Sequence, residues 1–180
     1  MAIRNDTDIV SAMKENMENG FRLLLAKYKA AIYWHIRRLV ISHDDAQDAT
    51  QETFMRVFRS FRQFKGECPF NAWIYRIATN EALRILKHRR NERLSLDDPN
   101  TGADILMADI YVDYSDLETV KLQKAILALP TKQQLAFSLR YYDELGYDEI
   151  AAVMNSTAAN VKANYYLAKE KIIKYMDSTD

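Results

Sequence analysis

Between Gly146 and Lys162 the chain runs Gly-Tyr-Asp-Glu-Ile-Ala-Ala-Val-Met-Asn-Ser-Thr-Ala-Ala-Asn-Val-Lys, a pattern that admits little besides a helix, a tight turn and a second helix. Gly146 can serve as an N-cap, Glu149 stands three residues on at the capping-box position, and Ile150 and Val153 give the helix an apolar face. Ala151 is small where two helices must cross closely. Asn155 falls where the turn needs a positive φ, which Asn tolerates better than most side chains. Thr157 suits the cap of the second helix, and Val161 can plug that helix back onto the first. This leaves Asn160, Lys162, Ala163, Asn164, Tyr166 and, one turn further, Lys169 to face outward. A helix-turn-helix of this kind sets its second helix in the DNA major groove; an ordinary helical hairpin is the alternative.

The rest of the chain also reads as helix. Four glycines and three prolines in 180 residues leave too few breakers for a turn-rich β fold. Phe21, Leu24, Leu25, Tyr28, Ile32, Ile36 and Leu39 recur at helical spacing. Ala46, Ala49, Thr53, Phe54, Val57 and Phe61 form a second face, preceded by Asp44 and Asp45, which suit a helix start and its dipole. Gly66 breaks the pattern, and Pro69 fits the first turn of a third helix carrying Phe70, Trp73, Ile74, Ile77, Ala78, Ala82, Ile85 and Leu86. Further helices are expected near Leu117–Leu129, Lys132–Tyr141, Tyr147–Met154 and Ala158–Tyr175.

The formal net charge is zero, but the charges are segregated. From Arg56 to Arg93 there are ten Lys and Arg against three acids, Glu67, Glu81 and Glu92; from Leu94 to Val120 there are seven acids and no base. A polyanion-binding block followed by an acidic linker is expected, the competing view being solvated faces of opposite sign. Arg76, Asn80, Arg84, Lys87, Arg89, Arg90 and Arg93 lie on or beyond the Trp73 helix, beside a loop carrying Phe61, Phe64, Lys65 and Phe70. Cations draw in a phosphate backbone and rings accept an unstacked base, a mixture suited to melted or single-stranded DNA. Phe70 and Trp73 also suit a plain core.

Asp44, Asp45, Asp48, Gln51, Glu52 and Arg56 make a polar stripe opposite the Ala46/Ala49/Thr53 face. Without accompanying histidines this is a docking stripe or a solvated face rather than a metal site. His35, His43 and His88 share no ligand spacing, the single Cys68 excludes an internal disulfide, and no phosphate loop or nucleophile elbow occurs. Neither catalysis nor a cofactor or metal is expected. No apolar run approaches the roughly 18 residues of a membrane span, and Met1–Asp6 has no signal-peptide pattern, so the expected location is the cytoplasm.

Three stretches taken together resemble the extracytoplasmic-function group of bacterial sigma factors in the sigma-70 family. They are Asp45–Arg56, Phe70–Asn80, and Leu129-Pro130 followed by the helix-turn-helix. The resemblance runs from about Phe21 to Tyr175 and implies an all-α chain of two small helical domains. These are a region 2 domain at 21–93 and a region 4 domain at 117–177, joined by an acidic linker at 94–116 and preceded by a helical extension at 1–20. It implies binding to RNA polymerase core, direction of the enzyme to promoters and help in melting them. By resemblance, Asp48, Gln51, Glu52 and Arg56 dock on the clamp helices of the largest polymerase subunit. Phe64, Lys65, Trp73, Arg76, Asn80, Arg84, Lys87, Arg89 and Arg90 bind the −10 element. Thr157, Asn160, Lys162, Ala163, Asn164, Tyr166 and Lys169 bind the −35 element.

An anti-sigma partner is expected from the family, and a monomer when free. The linker acids are expected to mimic nucleic acid in the polymerase channel. The chain departs from the family at Asn164 and Leu167, where Arg is common, and at Ala159, where Gly is common; Gly146 replaces a more usual Ser cap. Fewer cations on the recognition helix favour amide contacts, Asn to adenine among them. Rival readings are a helix-turn-helix regulator working without polymerase, which usually dimerises, and a helical adaptor with no DNA role.

Overall fold

The computed structural model describes residues 5–96 and 116–178, the side chains of 93–96 excepted. Most of the acidic stretch, 97–115, therefore lies outside the described residues, as does everything expected of it. The chain divides into two units, Met1–Asp109 and Ile110–Asp180. Among the described residues the regular structure is helical throughout: α1 Asp6–Glu15, α2 Met17–Val40, α3 His43–Ser60, α4 Phe70–Leu96, α5 Leu117–Leu127, α6 Thr131–Tyr141, α7 Tyr147–Met154 and α8 Ala158–Asp177.

In the first unit α2, α3 and α4 pack on one another and α1 lies on α2. The apolar periodicity does what it promised: Leu24, Ile32, Ile36, Val40, Ala46, Ala49, Val57, Ile74, Ala78 and Ala82 are buried. Alanines on the facing sides of α3 and α4 let the backbones approach. Thr50 and Thr53 sit in this core because their hydroxyls donate to the Ala46 and Ala49 carbonyls at 2.6 and 2.7 Å, which removes the cost of a buried polar atom. His35 is fully buried and meets the Thr79 hydroxyl at 2.8 Å, joining α2 to α4.

Residues 5–20 hold α1 and the start of α2, with a break between them. Asn16 ends α1, its N–H donating to the Ala12 carbonyl at 2.8 Å, and at once caps α2, its side chain accepting from Asn19 N at 3.1 Å. Each such cap is worth about 1 kcal/mol. Gly20, one turn into α2, is the point of closest approach: a Cβ there would run into the Met13 backbone. Asp6 then ties α1 down through Lys27 at 2.7 Å and the Tyr28 hydroxyl at 2.6 Å.

The α2–α3 corner is tight. Ile41 has φ 67° and ψ −45°, and Ser42 N donates to the Val40 carbonyl at 2.8 Å, a γ-turn of the strained, positive-φ kind. Ser42 caps α3 by accepting from Asp45 N at 3.3 Å. Pro69 sits just before α4, its carbonyl accepting from Trp73 N at 3.0 Å, one position earlier than expected.

In the second unit α6, α7 and α5 each pack against α8. Ala125, Ile126, Leu129, Phe137, Ala168 and Ile172 form one core cluster. Lys121 of α5 closes the end of α8 by donating to the Met176 and Ser178 carbonyls at 2.9 and 2.6 Å.

Candidate nucleic-acid and partner interfaces

α3 carries its polar stripe where the sequence placed it. Asp48 and Gln51 are exposed and Glu52 is partly covered. The stripe borders an open groove between α2 and α3 of about 1030 Å³, lined among others by Phe21, Leu25, Tyr33, Trp34 and Met55. Trp34 is 45% exposed and Met55 40%, with Phe58 at 41% just beyond, edge-on to Phe21 at 5.0 Å. Large apolar groups rimmed by carboxylates and amides are what a protein-docking surface needs. Sequence reasoning found the polar rim and missed the apolar floor. Its signal was there: Trp34, Met55 and Phe58 are bulky apolar residues off the buried faces of their helices.

Arg56 belongs to the same helix but is occupied within the unit. Its Nε contacts Glu52 Oε1 at 3.2 Å and Glu81 Oε1 at 2.7 Å. Glu81, on α4, is 3% exposed and takes Arg84 Nε and Nη2 on its other oxygen at 3.1 and 2.9 Å. A buried carboxylate is tolerable only when paired in this way.

α4 sorts its cations by face. At about 100° per residue, Trp73, Arg76, Asn80, Arg84 and Lys87 fall within an arc of about 80°. Asn80, Arg84 and Lys87 are exposed, and Trp73 and Arg76 are half-buried. Arg90 is exposed about 40° beyond the arc's edge. Arg89 points the other way: it donates to the Val40 carbonyl at 2.8 Å and pairs with Asp45. The structure thus brings together Trp73, Arg76, Asn80, Arg84 and Lys87, with Arg90 beyond their edge and Arg89 on the far side.

At the head of the stripe Phe64 stacks obliquely on Trp73 and Phe70, with centroids 5.0 and 5.4 Å apart. Phe70 and Phe61 are buried, so part of this cluster is core, while Phe64 and Trp73 keep ring surface in solvent. Lys65 is exposed in the same loop, and Gly66 takes φ 75° with nothing near its missing Cβ.

The helix-turn-helix forms as read. Gly146 N donates to Glu149 Oε2 at 2.8 Å. Asn155 is left-handed at φ 51°, ψ 52°, and Ser156 N closes the turn onto the Ala151 carbonyl at 2.9 Å. Thr157 caps α8 by accepting from Asn160 N at 3.2 Å. Val161 is fully buried against the preceding helix, and Thr157, Asn160, Lys162, Ala163, Tyr166 and Lys169 are exposed. Asn164 is partly covered and donates through Nδ2 to the Asn160 carbonyl at 2.9 Å. Leu167, 46% exposed, and Glu170 share the outward side; sequence reasoning treated Leu167 only as a departure and passed over Glu170. Among the described residues no cluster of three or more His, Cys, Asp or Glu has metal-binding geometry.

Comparison with known proteins decides the family. Residues 24–92 match the model of sigma-70 region 2, and residues 119–172 match that of sigma-70 region 4. The RNA polymerase sigma-H factor of Pseudomonas aeruginosa is 30% identical over 178 residues, covering 94% of this chain and 92% of that protein. The chain is an extracytoplasmic-function sigma factor of the sigma-70 family.

The ECF RNA polymerase sigma-E factor of Haemophilus influenzae is 28% identical to this sigma factor, covering 93% of each chain. Two solved structures share its fold at 20% identity. CnrH in complex with the cytosolic domain of CnrY has a TM-score of 0.74, covering 97% of this chain and 99% of that one. RpoE of Bartonella quintana in complex with the anti-sigma factor NepR has a TM-score of 0.69, covering 89% and 98%. As a sigma factor the protein directs RNA polymerase in transcription initiation. Among the described residues no helix is long and apolar enough to cross a membrane.

Proposed function

We propose a division of labour over three surfaces. The α2–α3 groove, with Asp48 and Gln51 on its rim and Glu52 beside them on α3, seats the polymerase core through the clamp helices of its largest subunit. The α4 stripe and the Phe64 loop take the −10 element and hold it open. The exposed side of α8, from Thr157 to Lys169, reads the −35 element in the major groove.

The observation that carries this reading is the α4 arc, where Arg76, Asn80, Arg84 and Lys87 line up behind the half-buried ring of Trp73. Cations in line track a phosphate backbone, and the Trp73 and Phe64 rings offer a surface on which an unpaired base can stack. Intact duplex has no use for such rings, so the arrangement favours strand separation over duplex binding. Each unit alone binds weakly; tethering both on one polymerase raises the effective concentration of the second contact.

The free chain works in the cytoplasm as a monomer held by an anti-sigma factor, as RpoE is held by NepR in its complex. Such a partner competes with polymerase for the apolar groove. Permanganate footprinting of the holoenzyme on a promoter tests the reading: thymines upstream of the start become reactive with the native chain. Trp73→Ala abolishes that reactivity while core binding persists; unchanged reactivity in Trp73→Ala would remove the α4 surface from the melting step.

A further inference from the structure

Glu81 does more than fill space. Four charged groups alternate across the α3–α4 contact in the order Glu52, Arg56, Glu81, Arg84, with Glu81 buried in the middle and Arg84 63% exposed at the α4 end. Nε and Nη2 of Arg84 both lie on one Glu81 oxygen, at 3.1 and 2.9 Å, which leaves three of the five guanidinium N–H donors for a ligand. The second Glu81 oxygen is held by Arg56 at 2.7 Å, so the carboxylate cannot swing to follow Arg84.

We propose that Glu81 is a positioning residue that fixes the Arg84 guanidinium for a phosphate of the melted promoter strand, with Arg56 holding Glu81 in register. An unrestrained surface arginine must surrender its rotamer freedom when a phosphate binds, which weakens binding about two- to tenfold. Arg84 has surrendered it already. The Glu81 charge works in the opposite direction, since a carboxylate close to a phosphate repels it. The two effects have opposite signs, so removing the charge tells them apart. The proposal rests on the assignment of the α4 stripe to promoter DNA.

The test uses holoenzyme assembled with core polymerase and a fluorescein-labelled single-stranded oligothymidine of about 20 nucleotides, core alone giving the background. Glu81→Gln is expected to weaken binding about fivefold despite removing a negative charge, Arg84→Ala about tenfold, and the double variant no more than Arg84→Ala. The slope of log affinity against log salt should fall by about 0.7 in Glu81→Gln, the loss of one phosphate contact. Arg84→Lys keeps the charge and loses the two-point hold, so it should resemble Glu81→Gln; being on the surface, it carries the test should Glu81→Gln fail to fold. Unchanged or tighter binding by Glu81→Gln, additive losses, or native binding by Arg84→Lys overturns the positioning role. Native binding by Arg84→Ala, Asn80→Ala and Lys87→Ala together instead overturns the assignment of α4 to DNA, and this proposal with it.

Discussion

Arg89 of α4 donates to the carbonyl of Val40 across 49 residues of sequence, at 2.8 Å. That carbonyl also accepts from Ser42 N within the strained turn at Ile41, and the same arginine pairs with Asp45 in the first turn of α3. One side chain therefore holds together the end of α2, the start of α3 and the body of α4.

Arg89→Ala should cost the first unit about 1–2 kcal/mol, because the buried Val40 carbonyl loses one of its two donors and the Asp45 carboxylate loses its arginine, while the turn keeps its strain. Arg90→Ala removes the same charge from an exposed position and should leave stability unchanged. Both tryptophans, Trp34 and Trp73, lie in this unit, so tryptophan emission during urea unfolding reports it selectively. Equal midpoints for the two variants would remove Arg89 from its structural role.

Gly20→Ala should destabilise the same unit by roughly 1–3 kcal/mol. Helix propensity alone favours alanine by about 1 kcal/mol, but the added Cβ meets the Met13 backbone, which cannot rotate away. Relief requires lifting α1 and exposing Ile9 and Met13, both buried. Faster proteolysis around Asn16 would accompany the loss of stability. A stabilised variant would show that the α1–α2 approach is looser than described.

At Asn155 the left-handed backbone sets the order of substitution. Asn155→Ala should lower the stability of the second unit by about 1 kcal/mol, because it keeps the Cβ at positive φ and loses the polar side chain that offsets it, whereas Asn155→Gly removes the Cβ and should be less destabilising than alanine. Circular dichroism melts of the two variants check the order; alanine equal to glycine would contradict the αL assignment.

Trp34→Ala and Asp48→Lys should each weaken binding to polymerase core about tenfold or more while leaving the melting temperature close to native, since both residues are exposed on the groove. Titrating labelled core with each variant is the measurement. Native affinity in both would move the docking surface elsewhere.

The helices were legible because caps and apolar spacing agree. Thr157 caps α8 as its place before the apolar run suggested, and the buried positions of α2 and α3 recur at the period of a helix. Asn155 was legible because few residues tolerate its backbone. Arg89, Glu81 and the α1–α2 corner were not. A run of basic residues at the end of α4 reads as one patch, and only the angle of each residue around the helix separates Arg89 from Arg90. Glu81 and Arg84 are neighbours by spacing, but the Arg56–Glu81 contact exists only once α3 has found α4. Asn16 reads as one more polar residue in a helix until Gly20 brings Met13 against it. Local signals reveal elements; which side chains share a contact depends on how those elements pair.

Run-off transcription with purified polymerase core, the purified chain and promoter-containing DNA is the decisive measurement. Discrete transcripts should appear only when chain and core are both present, and should be lost when Asp48 is replaced by Lys or Trp73 by Ala. No transcript, together with no measurable binding of the chain to core, would contradict this reading.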